Sequence, residues 1–348
     1  MSCLSAHNLL LQKDALWALT WAGDRLVSGG ADGIVRLHDP ADLALPLNEL
    51  PALPLAVGSL TSTRDGKWAL AASLDGTAAL VNVGRGRLSS KVETGREGVA
   101  PGESELAAYA AAIHPTAACW AWTGRGSKLA IRSIDTAALE AADAETQDED
   151  GEQATQAGPS NALSGSGSVV DTVKGKFGMA VEFSPDGTQV AVGLETGHVV
   201  VADVETKSVV ATYSAHAMTV RSLAWSPDSQ WLYTGADDAR IVLHDVRAGS
   251  TSGAKGEGAV AIMQGHNGWV LSMAASPDGR LLGSGGADST VKLWDVGQRS
   301  CVSTNNLDAE VWGFAWQAEY EGSLAPGKQF AVAGDDKKVS LFRAAGAV

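Results

Sequence analysis

His266, Ser284 and Asp288 stand 18 and then 4 residues apart. A histidine within reach of a hydroxyl and a carboxylate is the set used in nucleophilic acyl transfer, where the imidazole takes the hydroxyl proton and the carboxylate holds the tautomer. The same spacing recurs at His216, Thr234 and Asp238, and Ser28 and Asp32 keep part of it near the start of the chain. Trp294 follows Asp288 by 6 residues, and His244 stands at the same offset from Asp238. An enzyme needs one such constellation. A repeated one serves to tie strands together within each repeat.

The repeat that carries these residues is visible along the chain. HAMTVRSLAWSPDSQWLYTGADDARIVLHDV (216–246), GHNGWVLSMAASPDGRLLGSGGADSTVKLWDV (265–296) and FGMAVEFSPDGTQVAVGLETGHVVVADV (177–204) share one order of parts. Asp203 to Asp245 is 42 positions and Asp245 to Asp295 is 50, the excess lying in RAGSTSGAKGEGA. Weaker copies end at His38-Asp39, at Asn82-Val83 and near Asp135, and a last one runs from Val311 to Phe342. Apolar residues alternate within short runs bounded by Gly, Asp and Pro turns, as in Val220, Leu223 and Trp225. This is strand periodicity, and no helical period competes over a long span.

Units of about 40 residues with a Gly-His start and a Trp-Asp end are the signature of WD-repeat blades. The expected fold is all-β: a single seven-bladed propeller over residues 1–348. In WD-repeat proteins the His, Ser/Thr, Asp and Trp of one blade form a buried hydrogen-bonded chain. That resemblance assigns a structural role to His266, Ser284, Asp288 and Trp294, and to His216, Thr234 and Asp238. It also predicts that the segment around Cys3–Leu11 supplies the missing outer strand of the last blade and leaves no free edge around the ring. AADAETQDEDGEQATQAGPSNALSGSGS (141–168) is nearly free of bulky apolar residues and reads as a disordered acidic and Gly/Ser-rich loop between blades 3 and 4.

Composition narrows the partners. The 26 Lys+Arg against 40 Asp+Glu leave a net charge of −14, which argues against direct nucleic-acid binding, since phosphates need a basic footprint. The 3 cysteines are odd in number and far apart, as free thiols in a reducing compartment are. No apolar run approaches the roughly 18 residues of a membrane span, and the N-terminus lacks a signal-peptide pattern. The expected location is cytoplasmic and nuclear. Neither histidines nor cysteines have metal-ligand spacing, so no metal or cofactor is expected.

Aligning the units places Trp17, Gly58, Tyr109, Met179, Arg221, Leu271 and Trp312 at the starts of the inner strands, with Trp269 two residues earlier in blade 6. These residues, Gly58 apart, form a candidate partner-binding surface at the channel mouth: apolar anchors around one Arg for a short peptide. A ligand would set an apolar anchor among the tryptophans and an acceptor opposite Arg221. Trp21, Trp225 and Trp316 fall at the far end of the same strands and read as core.

HAMTVRSLAWSPDSQWLYTGADD, GHNGWVLSMAASPDG, VKLWDVGQRSCV and EVWGFAW resemble the WD-repeat subunit of the superkiller complex. The resemblance is close over about residues 170–316. It implies a non-enzymatic subunit, monomeric on its own, bound to a tetratricopeptide-repeat scaffold beside a helicase in cytoplasmic exosome-dependent mRNA decay. It also implies membership of the Paf elongation complex in animals and plants, and a meiotic recombination role in budding yeast. Partner segments in that family dock on the top face near the channel. The competing readings are a ubiquitin-ligase substrate receptor or chromatin reader, which would need a partner-specific extension, and a propeller hydrolase. The last would need one non-repeated polar constellation in the channel.

Overall fold

The computed structural model describes residues 7–8, 13–43, 45–95, 106–126, 128–139, 161–172, 177–247, 259–318 and 329–343. Seven four-stranded antiparallel sheets form the blades of a β-propeller. The inner strands are Leu16–Ala22, Val57–Ser62, Ala108–Ile113, Gly178–Phe183, Val220–Trp225, Val270–Ala275 and Val311–Trp316, in blades 1 to 7. Each packs on the next, and the seventh packs on the first, so the ring closes around a channel.

Burial follows from this stacking. Middle strands are covered on both faces by neighbouring blades, so Trp68–Ser73 and Cys119–Gly124 are buried at every residue. Their sequences accordingly run apolar through WALAA and CWAW before a small or polar end. The outer strand Ala259–Gln264 alternates instead, with Met263 buried and Ile262 exposed. The Ser-Pro-Asp turns close the inner hairpins: Ser276 Oγ donates to Asp278 Oδ1 (2.6 Å), and Asp278 accepts from Arg280 N (3.0 Å). Asp278 is therefore a turn residue.

Closure uses the N-terminal segment: His7 and Asn8 pair with Leu341 and Ser340 of blade 7 as its outer strand. The rest of the Cys3–Leu11 segment lies outside the described residues. The acidic loop expected over 141–168 needs correction at its end. Residues 141–160 lie outside the described residues, whereas Asn161–Ser164 forms a 3-10 turn and Gly167–Asp171 is the outer strand of blade 3. Ala162 and Leu163 are fully buried, and Trp120 Nε1 donates to Leu163 O (3.2 Å). Two apolar side chains amid polar residues suffice as an anchor once a tryptophan waits for the backbone. No helix among the described residues is long and apolar enough to cross a membrane.

Candidate functional site

The His-Ser-Asp constellations lie inside blades. In blade 6, Trp294 Nε1 donates to Ser284 Oγ (2.8 Å), which lies 2.7 Å from His266 Nε2, while His266 Nδ1 faces both oxygens of Asp288 at 3.1 Å. Assigning protons along this network gives Trp N–H to Ser, Ser O–H to His, and His N–H to Asp. In blade 5, His216 meets Thr234 (2.8 Å) and Asp238 (3.1 Å), and His244 takes the tryptophan's place 3.0 Å from Thr234. Ser28 and His38 repeat the inner half in blade 1 at 2.8 Å. Ser284, Thr234 and Ser28 are each 0% exposed, so no substrate carbonyl can reach these hydroxyls. Burial lowers the His266 pKa, opposed in part by Asp288, and drives that of His244 down to about 3. These imidazoles are neutral cross-links between strands.

The channel is a different environment, a cavity of about 460 Å³ lined by the inner strands. Each inner strand carries a register shift around its second residue, and those residues are Trp17, Gly58, Tyr109, Met179, Arg221, Leu271 and Trp312. A bulge leaves one residue out of the ladder and re-aims its side chain. The row aligned from the repeat is thus one ring of bulges around one end of the channel. Trp17, Gly58, Met179, Arg221 and Trp312 line the cavity. Tyr109 turns aside, half-buried and edge-on to Phe177 at 5.0 Å, and Leu271 is buried.

Trp17 and Trp312 sit together with ring centroids 6.0 Å apart. Trp269 is 43% exposed, and the Arg221 guanidinium lies 4.6 Å from its ring centroid. Asp237 accepts from Arg221 Nε (2.5 Å) and Nη2 (3.0 Å). The acceptor expected opposite Arg221 is therefore already supplied largely by the protein, and the two hydrogens of Nη1 and the second of Nη2 remain for a ligand. Asp237, Phe177 and the exposed Leu74, whose side chain lies beside Gly58, are additions that the repeat alignment does not select. The signal for Asp237 was the doubled acid of Asp237-Asp238, of which only the second binds the blade histidine.

At the far end, Trp21, Trp225 and Trp316 are buried, and each Nε1 donates to a carbonyl of the preceding blade's inner strand: Ala315, Glu182 and Ala274, at 3.0–3.2 Å. They tie blade to blade by satisfying edge carbonyls that would otherwise lack partners.

Seven stacked sheets, one holding a buried Trp–Ser–His–Asp chain and another its His–Thr–His–Asp counterpart, define a β-propeller carrying WD40 repeats, and propellers of this kind typically bind protein partners. Residues 207–245 and 258–295 match the family described as WD domain, G-beta repeat, each match beginning in or next to an outer strand and ending with the third strand of the next blade. Among individual proteins, the chain is 45% identical over 179 residues to the meiotic recombination protein rec14 of Schizosaccharomyces pombe, covering 51% of this chain and 53% of that relative. The matched region thus spans about half the length of that protein. It is 39% identical over 77 residues to the WD repeat-containing protein SL1-17 of Schistosoma mansoni (22% of this chain, 25% of that one). It is 33% identical over 82 residues to the Set1 complex component swd1 of Schizosaccharomyces pombe (24% and 21%).

Proposed function

We propose that the propeller is a non-catalytic adaptor that grips short segments of partner proteins at the Arg221 end of its channel. The observation that carries this reading is the bulge ring, which brings Trp17, Met179, Arg221 and Trp312 to one cavity beside the exposed Trp269. Aromatic side chains gathered around a single Arg are the composition of binding hot spots. Trp312 Nε1 adds a second cue: it is buried and has no acceptor among the described residues. A peptide carbonyl would satisfy it and offset an unmet donor once the indole turns on binding to bring this nitrogen to the mouth.

The partner we assign is a tetratricopeptide-repeat scaffold beside a helicase subunit, in a superkiller-type assembly acting in cytoplasmic mRNA decay. A nuclear role in a Paf-type complex or in meiotic recombination belongs to the same proposal. Its support is the sequence resemblance together with the similarity to rec14, named for meiotic recombination. The shorter similarity to swd1 keeps a chromatin complex as the alternative, and recovery of such a complex from native extract would favour it.

The test is calorimetric titration of the scaffold's binding segment into wild type and a Trp17→Ala/Trp312→Ala double variant. Truncating a buried aromatic anchor costs about 2–4 kcal/mol of binding, so a micromolar interaction should be lost while circular dichroism is unchanged. Unchanged affinity in a folded double variant would move the site away from this mouth.

A further inference from the structure

The channel's other end carries opposite chemistry. Glu182 is the fifth of the six residues in the inner strand of blade 4. It lies three residues beyond Met179, roughly 10 Å further along the channel at about 3.3 Å per residue. At the same register blades 1 and 2 carry Thr20 and Thr61, and blades 3, 5, 6 and 7 carry Ala112, Ala224, Ala274 and Ala315. The carboxylate is therefore an isolated departure from the repeat. Its backbone carbonyl accepts from Trp225, but the carboxylate itself has no hydrogen-bond or ion-pair partner among the described residues.

Glu182 nonetheless lines the cavity and keeps partial exposure to it. Among the described residues lining the channel, the other inner strands offer one further ionisable side chain, Arg221, which is forked to Asp237 at the opposite mouth. A lone carboxylate with no titratable group facing it supplies no acid–base pair, so the site is one for binding. Burial without a partner pushes its pKa up to about 8, a penalty that no fold contact returns. Ser62, Ala275 and Pro277 leave small side chains at this end of the lining, room for a slim unbranched chain. The net charge of −14 favours a cation there.

We propose that this end of the channel receives a basic side chain of a protein partner, a lysine ammonium or an arginine guanidinium that pairs with Glu182. The site is separate from the peptide-binding mouth and does not depend on it. A cation arriving at Glu182 supplies the partner that the fold leaves out.

The test uses the full chain and ligand-observed NMR. The probes are n-butylammonium, n-butylguanidinium, neutral n-butanol, and a Gly-Lys-Gly tripeptide blocked at both ends. The expected result is saturable binding of both cations and the tripeptide, with n-butanol failing to compete. Affinity should fall at least tenfold in Glu182→Gln and stay unchanged in the Trp17→Ala/Trp312→Ala variant. It should also rise several-fold from pH 6.5 to 8.5, where Glu182 sheds its proton and the probes stay charged. A purely structural glutamate would not produce that profile. Thermal melting of Glu182→Gln at or above the wild-type temperature at pH 8.5 serves as the folding control. Equal binding of n-butanol, undiminished binding by a folded Glu182→Gln, or loss of cation binding in the mouth variant would overturn the proposal. So would a tripeptide that fails to bind where n-butylammonium does, since the occupant would then be a free amine.

Discussion

Blade 6 and blade 3 solve one problem with different chemistry. Both must fix the second strand to the loop that leads into the blade. In blade 6, Ser284 stands opposite Met273 of the inner strand and reaches the loop through His266, with Trp294 closing the chain from the third strand. In blade 3 the residue opposite the equivalent Ala111 is Trp122. Its own indole N–H donates to Leu106 O (2.9 Å) in the entering loop. The third-strand position of Trp294 belongs here to Arg132, whose guanidinium lies 5.2 Å from the Trp122 ring centroid and 5.9 Å from that of Trp120. One indole thus spans in a single side chain what Ser and His span in two. Blade 2 goes further and fills the same positions with Ala71 and Val81, both fully buried, so methyl packing replaces polar linkage. The blade geometry constrains only what must be bridged and filled.

The comparison implies that blade 3 concentrates in Trp122 what blade 6 distributes. Trp122 is 0% exposed and stacks on Trp120 at 4.3 Å. Trp122→Ala should lower stability by about 3–5 kcal/mol through the cavity left behind, with a further part from the orphaned Leu106 carbonyl. Denaturant unfolding followed by fluorescence and circular dichroism measures it. A loss under about 1 kcal/mol would mean that blade 3 is not pinned through this indole.

Acid should sharpen the contrast between blades that use histidine in place of the closing tryptophan and the blade that does not. Burial takes the pKa of His38 to about 4 and that of His244 to about 3, below the ordinary 6.5. Each has a buried Nδ1 without a partner, consistent with a neutral ring whose Nε2–H donates to Ser28 or Thr234. Because the folded pKa is depressed, the unfolded chain binds more protons below pH 6.5. The stabilisation is therefore complete above 6.5 and lost as pH falls toward 4, by on the order of 3 kcal/mol for each ring at the lower limit. Urea midpoints measured from pH 7 to 4.5 should fall steadily, and less steeply in His38→Asn. A flat profile over that range would contradict the neutral, buried assignment.

This division also governs what could be read from the chain. The polar chain of blades 5 and 6 is written in residue types that have few other reasons to recur at 18 and 4 residues, so the propeller and the bulge row were legible from their register. Blades 2 and 3 were faint because alanine, valine and tryptophan carry no spacing signal of their own. Two features of the site escaped for a physical reason. Asp237 reads as a turn acid until Val220–Trp225 brings Arg221 beside it, and Glu182 reads as the outward residue of an alternating strand until ring closure encloses it. Ala162 and Leu163 likewise become an anchor only where Trp120 meets them.

The finest test separates a turn from a cross-link. Asp75 in blade 2 and Asp288 in blade 6 occupy the same tight turn, and each accepts from the residue two ahead: Thr77 Oγ1 (2.8 Å) and Thr290 Oγ1 (2.7 Å). Asp288 alone also holds the entering loop, through His266 Nδ1 (3.1 Å) and the Asn267 amide (2.8 Å). Burial works against its charge, but these donors outweigh burial and hold its pKa below the usual carboxylate value. Asp288→Ala should strand a buried imidazole N–H and cost about 1–3 kcal/mol, whereas Asp75→Ala removes only turn contacts and should cost about 1 kcal/mol or less. The difference between the two variants, measured by denaturant midpoint at pH 7, reports the cross-loop part alone. Equal losses would reduce the His–Asp link to decoration of the turn. An Asp288→Ala variant of unchanged stability that lost a chemical activity would return the constellation to the catalytic reading that its burial argues against.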